Sequence, residues 1–74
     1  MEEFTYGEIA VGLDSQNPMR DDVREMKIKF SKIIDDLNEA RNEAGHSEKG
    51  RILSVAITEA QTAQMWAVKG ITQE

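Results

Sequence analysis

The sequence predicts an all-α fold: a short N-terminal helix or arm followed by a long antiparallel helical hairpin, assembled as a homo-oligomer. Two long stretches repeat apolar or small residues at alternating spacings of three and four, which is typical of helices packed along their length. A glycine-containing turn separates them. The predicted division is a single domain, 1–74, made of an arm, helix two and helix three at 1–16, 18–44 and 48–71.

Helix three has an apolar arc that is wider than the single stripe of an ordinary surface helix. Its central stripe of small residues is Leu53, Ala56, Ala60, Ala63, Ala67 and Gly70. The two flanks are Ile52, Val55, Thr62 and Trp66 on one side, and Ile57, Gln61, Gln64, Val68 and Ile71 on the other. Such a helix needs more than one neighbour. Because the chain has 74 residues and no cysteine, oligomerisation is the expected source of additional stability.

Helix two is predicted to begin at Pro18, with Asn17 as its N-cap, and to end before Gly45. Ser47 is the expected N-cap of helix three, so the two helices should fold back on each other. The expected packing seam of helix two consists of Val23, Met26, Phe30, Ile33, Leu37, Ala40 and Ala44.

The arm at 1–16 contains apolar residues at helical spacing, but Gly7 and Gly12 each cost roughly 1 kcal/mol in a helix interior. We therefore expect a brief helix held against the hairpin. Tyr6 is either a packed tyrosine or an aromatic platform for a flat ligand.

Charge and hydropathy exclude several classes of function. The net charge of −5 argues against a DNA or RNA polymer as partner, because wrapping a phosphate backbone requires a basic stripe. No apolar run approaches the roughly 20 residues of a membrane span, and the acidic N-terminus is unlike a signal peptide. We expect a soluble, intracellular protein that can still bind a small anion.

Cations and aromatics are expected to converge at the open end of the hairpin. Antiparallel pairing would place Lys27 beside Trp66 and Arg24 beside Lys69, with Tyr6 folded over them. Stacking surface and phosphate-pairing charge together suit a nucleotide-like ligand. The alternative interpretation is that Trp66 is an oligomer contact and that the charged side chains are solvated.

The sequence gives little support for catalytic residues. His46 lies in a turn without a neighbouring nucleophile. The acidic side chains Asp35, Asp36, Glu39 and Glu43 form a helical series, but helix three offers only Glu59 as a counterpart for a metal site. We expect no enzyme activity, no catalytic residue, no metal and no cofactor.

Several segments resemble the helical-hairpin domain of phage anti-defence sponges, a group that includes the anti-CBASS protein 2 family and the hairpin portion of a Thoeris anti-defence protein. These segments are FTYGEIAVGL, the NP turn, VREMKIKFSKIIDDLNEAR and LSVAITEAQTAQMWAVKGIT. The resemblance implies a non-catalytic homohexamer of hairpins in the cytoplasm of the infected bacterial host cell. It also implies that cyclic dinucleotides bind between protomers and cyclic trinucleotides bind near the threefold axis.

The resemblance implies particular site residues. Lys27 matches the family lysine that pairs ligand phosphate, and Tyr6 matches its N-terminal stacking tyrosine. The trinucleotide pocket falls on Thr58, Gln61 and Thr62. No arginine stands at these three positions, which favours a dinucleotide over a trinucleotide.

Two functions are therefore open. One is a sponge that binds and sequesters cyclic oligonucleotide messengers without degrading them. The other is a non-enzymatic helical hairpin that serves oligomerisation or protein interaction through the apolar face of helix three.

Overall fold

The fold is all-helical, as predicted. A computed structural model describes residues 3–73, and within that range it contains three α-helices and no strand. The helices are α1 (Tyr6–Ala10), α2 (Asp21–Ala44) and α3 (Glu48–Ile71). Residues 1 and 2 of the expected arm, and residue 74, lie outside the described range. None of the described helices combines the length and the apolar character that crossing a membrane requires.

α1 is short and begins with a capping box. The Thr5 hydroxyl accepts a hydrogen bond from the Glu8 backbone N–H at 3.1 Å, and the Glu8 carboxylate accepts one from the Thr5 N–H at 2.7 Å. These two bonds satisfy donors that a helix start otherwise leaves free, which stabilises a helix of only five residues.

α2 begins at Asp21, three residues after the predicted start at Pro18, and its N-cap is Arg20 rather than Asn17. The first helical bond joins the Arg24 N–H to the Arg20 carbonyl oxygen at 2.9 Å. The N-cap side chain makes no capping bond. The later start has a tertiary cause, because the preceding segment packs Met19 against the core before the helix begins.

The turn between α2 and α3 forms as predicted. Gly45 has a positive φ of 65°, a conformation that glycine adopts without a Cβ penalty, and its N–H bonds to the Arg41 carbonyl oxygen. The Ser47 hydroxyl caps α3 by accepting from the Gly50 N–H at 3.1 Å. α2 and α3 therefore run antiparallel over 24 residues each, a length of about 36 Å.

The core lies where the segment that follows α1 meets α2 and α3. Its buried members are Val11, Leu13, Ile34 and Ile57. Ile34 is fully buried, whereas Ile33 of the predicted seam is 52% exposed, so the assignment of Ile33 to the seam was wrong. α2 packs against both α1 and α3, and this rotates its buried face away from a single heptad stripe.

The molecule is flat, with Cα extents of 42 × 32 × 13 Å. Its accessible surface is 5501 Å², compared with about 4,600 Å² for a compact monomer of the same mass. α3 buries Ile57 and leaves its other flank exposed, including Trp66, which is 65% accessible. A single chain therefore leaves much apolar surface uncovered. The large exposed apolar residues are Phe4, Tyr6, Ile9, Ile28, Ile33, Ile52, Val55, Met65 and Trp66.

Candidate ligand-binding site

Tyr6 is the first residue of α1, and its side chain is 44% exposed. The Arg41 guanidinium carbon lies 5.3 Å from the centroid of its ring, a cation–π arrangement. This contact orients the tyrosine ring against α2 and leaves part of it open to a ligand. Tyr6 is thus neither fully packed nor a free platform.

Asp35 of α2 holds the start of α1. One carboxylate oxygen accepts from the Thr5 hydroxyl, and the other accepts from the Gly7 N–H, both at 2.7 Å. A negative charge at a helix N-terminus is favourable, and two charge-assisted bonds add geometric precision. Asp35 therefore fixes the helix that carries Tyr6, a role that its place in an acidic series did not reveal.

Lys27 of α2 holds the other end of α1. Its ammonium nitrogen donates to the carbonyl oxygen of Val11, the C-cap residue, at 2.6 Å. A cation is favourable at a helix C-terminus. The side chain is half-buried, and an ammonium group has three donors, so this contact leaves Lys27 able to pair a phosphate as well.

Arg24 lies one turn before Lys27 and is exposed. It lines an open depression of about 590 Å³ together with Phe4 of the N-terminal arm and the loop that follows α1. The loop residues in this lining are Leu13, Asp14, Ser15 and Gln16. Arg24 therefore faces the arm.

Trp66 and Lys69 form a separate patch on α3. The Lys69 ammonium lies 5.2 Å from the centroid of the Trp66 ring. The two residues line a shallow cavity of about 250 Å³ with Thr62 and Met65, and no residue of α2 contributes to its lining. This patch is an exposed, largely apolar surface of one helix.

The expected convergence of these side chains at one end of the hairpin is wrong within a single chain. Tyr6 lies beside Arg41, and Lys27 contacts Val11 rather than Trp66. The physical reason is the docking of α1 on α2, which places Tyr6 beside Arg41 and brings the C-cap residue Val11 to Lys27. Each of these residues remains a predicted ligand contact.

The predicted second pocket lies on the middle of α3. Thr58 and Thr62 are exposed, and their hydroxyls donate to the carbonyl oxygens four residues earlier, at 3.2 and 3.1 Å. Each hydroxyl oxygen keeps acceptor capacity but has used its donor. Gln61 is half-buried between them. This pocket also stays a prediction.

The acidic series does not form a metal site among residues 3–73, where no group of His, Cys, Asp or Glu side chains is placed to hold an ion. Asp35 is engaged with α1, while Asp36, Glu39 and Glu43 are exposed. His46 lies in the turn and lines a cavity with Arg41. Sequence reasoning missed Arg41 because nothing in its spacing marks it as the partner of an aromatic residue in the arm.

The fold and these surfaces define the class of protein: a small helical hairpin that carries a docked N-terminal helix and presents aromatic and cationic side chains. The family model for the Acb2/Tad1 hairpin domain matches residues 6–72, so the chain belongs to this anti-defence hairpin family. No curated protein and no solved structure matches the chain significantly.

Proposed function

We propose that this protein binds and sequesters cyclic oligonucleotide second messengers, cyclic dinucleotides above all, without degrading them. The observation that carries the proposal is the family match, which spans both helices of the hairpin and α1. The partners would be the messenger and other copies of the chain. The protein would act in the cytoplasm of the infected bacterial cell, where a phage-type immune-evasion protein meets these signals.

The placement of Tyr6 and Lys27 supports the proposal. They lie at opposite ends of α1, whose five residues span about 7.5 Å, so one helix presents stacking surface at one end and positive charge at the other. Arg24 lies one helical turn before Lys27 on α2. A base on Tyr6 and a phosphate at Lys27 would use both features.

The flat shape and the exposed apolar side chains support assembly into a homo-oligomer, which we propose to be a hexamer. In such an assembly a neighbouring protomer would complete each site. Trp66 and Lys69 of one chain would then lie at or near the ligand site of another, or would cover the apolar flank of a neighbour.

The predicted trinucleotide pocket at Thr58, Gln61 and Thr62 contains no charged donor. Thr58 and Thr62 offer acceptor oxygens rather than free donors, and Gln61 supplies a neutral amide. Phosphate binding favours charged donors, above all arginine. We therefore propose that cyclic dinucleotides bind more tightly than cyclic trinucleotides.

Sequestration would work by mass action. A non-catalytic binder removes signal only while its sites outnumber messenger molecules and its dissociation constant lies below the signalling concentration. We propose no turnover, since neither the acidic series nor His46 is paired with an activated nucleophile in the described part of the chain.

Calorimetry with a panel of cyclic di- and trinucleotides tests the proposal at Lys27. Lys27→Gln removes the charge but keeps a donor for Val11, and it should weaken dinucleotide binding by about one to two powers of ten. Lys29→Gln is the matched control, because Lys29 is exposed and pairs with Glu25 of the same helix at 3.7 Å. The control should bind as the native protein does.

Calorimetry with the same panel tests the stacking role of Tyr6. Tyr6→Ala should cost about 1–3 kcal/mol of binding free energy, whereas Tyr6→Phe keeps the ring and should retain most of the affinity. If Tyr6→Ala and Lys27→Gln both bind normally while the protein stays assembled, the pocket lies elsewhere. Thr58, Gln61 and Thr62 would then be the next positions to substitute.

A protein-interaction module is the second candidate function. The exposed flank of α3, with Ile52, Val55, Met65 and Trp66, favours it, because exposed apolar patches mark interaction surfaces. This alternative predicts that no cyclic nucleotide binds, while Trp66→Ser abolishes a protein contact. The sequestration proposal predicts that the native oligomer binds cyclic dinucleotides saturably.

A further inference from the structure

The cavity that His46 and Arg41 line lies at the closed end of the hairpin, away from the open end where Trp66 lies. It has a volume of about 430 Å³. The lining residues are Arg41, Asn42, Gly45, His46, Gly50 and Ser54. The chain carries 14 acidic and 9 basic side chains, yet no acidic side chain among residues 3–73 lines this cavity. Within the part of the chain that the structure describes, its charged or titratable lining groups are one arginine and one histidine.

Arg41 is half-buried, and its contacts are neutral. It donates to the Asn38 side-chain oxygen at 2.6 Å and to the Ser54 hydroxyl at 3.3 Å, and it lies over Tyr6. No carboxylate among the described residues lies within salt-bridge distance of it. A partly desolvated guanidinium usually has an anionic partner, because desolvation of an uncompensated charge is costly.

Two other arginines of the chain have carboxylate partners. Arg20 pairs with Asp22 at 2.7 Å, and Arg51 pairs with Glu48. Both are exposed, where a counter-charge matters less. Arg24 also has no carboxylate within salt-bridge distance among residues 3–73, but it is exposed. Arg41 is thus the half-buried arginine, and it has no carboxylate partner in that range. A guanidinium has five N–H donors, so Arg41 keeps donors for a further ligand.

The helix dipoles do not favour the binding of an anion at the closed end of the hairpin. The antiparallel hairpin brings the negative end of α2 and the positive end of α3 to the same turn, so their fields oppose each other. The Gly50 N–H is already engaged by the Ser47 hydroxyl. Any anion must therefore be held by side chains, with Arg41 supplying the charge.

We propose that the turn cavity binds the oxyanion of a small phosphate-bearing molecule, with Arg41 as the charged donor and His46, Asn42 and Ser54 around it. This cavity adjoins the site proposed at Tyr6 and Lys27, because Arg41 contacts the Tyr6 ring, but neither Tyr6 nor Lys27 lines it. The proposal stands whether or not cyclic dinucleotides bind at Tyr6 and Lys27. Its volume exceeds that of a phosphate ion and lies within the range of small-ligand pockets, so it has room for an organic group attached to the phosphate.

Nuclear magnetic resonance provides a specific test, because His46 is the only histidine and its imidazole signal needs no assignment by mutation. The full chain is titrated with sodium phosphate and with adenosine monophosphate, at ionic strength held constant with sodium chloride. We expect saturable shifts of the His46 imidazole and of the Gly45 and Gly50 amides with both probes. Adenosine monophosphate should bind at least as tightly as inorganic phosphate.

Substitutions at the cavity complete the test. Arg41→Gln should weaken phosphate binding by about tenfold or more, and His46→Ala by about two- to tenfold, followed through the Gly50 amide. Arg51→Gln is the matched control, because it removes the same charge from an exposed arginine near the same turn. It should leave the binding followed through the Gly50 amide unchanged.

Three outcomes would overturn the proposal. One is the absence of saturable shifts at His46 and Gly50, which would also be the result if an acidic side chain of another copy filled the cavity. Another is an equal loss of binding in Arg41→Gln and Arg51→Gln. The last is binding of inorganic phosphate with exclusion of adenosine monophosphate. If circular dichroism shows that Arg41→Gln is unfolded, the His46→Ala variant in the turn tests the proposed phosphate site instead.

Discussion

Gly7 shows how a single residue can be essential for a reason that a one-dimensional pattern does not contain. From the sequence alone, a glycine inside a helix is expected to destabilise that helix modestly. In the folded chain it is buried, and a Cβ at this position would collide with the Ser31 carbonyl oxygen and crowd the Asp35 carboxylate. Glycine therefore permits α1 to approach α2 closely. The sequence predicts the destabilising effect of Gly7 on its own helix. The close packing that Gly7 permits depends on a contact with Ser31, which lies 24 residues later in the chain.

Gly7→Ala should destabilise the protein by about 1–3 kcal/mol, because the added methyl group must displace α1 from α2. Urea denaturation followed by circular dichroism, at one fixed protein concentration, measures the change in the free energy of unfolding. Gly70→Ala is the matched control, since a Cβ there meets nothing within 4 Å. The control should be neutral or more stable by up to about 1 kcal/mol. Equal effects of the two substitutions would refute the close-approach role of Gly7.

The hairpin of α2 and α3 could be predicted from the sequence, whereas the docking of α1 on α2 could not. Gly45 and Ser47 carry local signals for a helix end and a helix start, and both act as predicted. The start of α2 and its buried face were misplaced, because they depend on how α1 and its loop pack. Ile34 is buried because α2 serves two neighbours at once, whereas a heptad pattern describes one.

Asp35→Ala should release the N-terminal end of α1. The substitution removes two charge-assisted hydrogen bonds, each worth about 1.5–3 kcal/mol, and should abolish the hydrogen-exchange protection of the α1 amides. Asp36→Ala is the control, because Asp36 is an exposed carboxylate on the same helix. Protection of α1 that persists in Asp35→Ala would mean that apolar packing alone holds the helix.

The whole molecule is a thin layer of helices rather than a compact globule. The described part of the chain exposes large apolar side chains on all three helices or beside them, and its surface exceeds that of a compact monomer of this mass. Sequence anticipated this through the wide apolar arc of α3, although Ile57 of that arc is buried within the chain itself. In the proposed oligomer, other copies of the chain would cover these side chains, and the periodicity of one chain does not encode which surfaces they would use.

Light scattering should therefore show an oligomer at micromolar concentration, with a mass that is a multiple of 8.3 kDa. Trp66→Ser and Ile52→Ser remove exposed apolar surface from α3, and we expect the double substitution to reduce assembly by losing buried area in the oligomer. A folded monomer of the native chain at that concentration would contradict the proposed assembly.

Recovery of the ligand after binding tests sequestration most directly. A fixed concentration of cyclic dinucleotide is dialysed to equilibrium against increasing native protein, the free nucleotide is measured, and the protein is then heat-denatured and the total nucleotide is analysed by mass spectrometry. We predict that the free concentration falls in proportion to added sites and that all the nucleotide returns intact and cyclic after denaturation. An unchanged free concentration, or the appearance of linear nucleotide, would contradict sequestration.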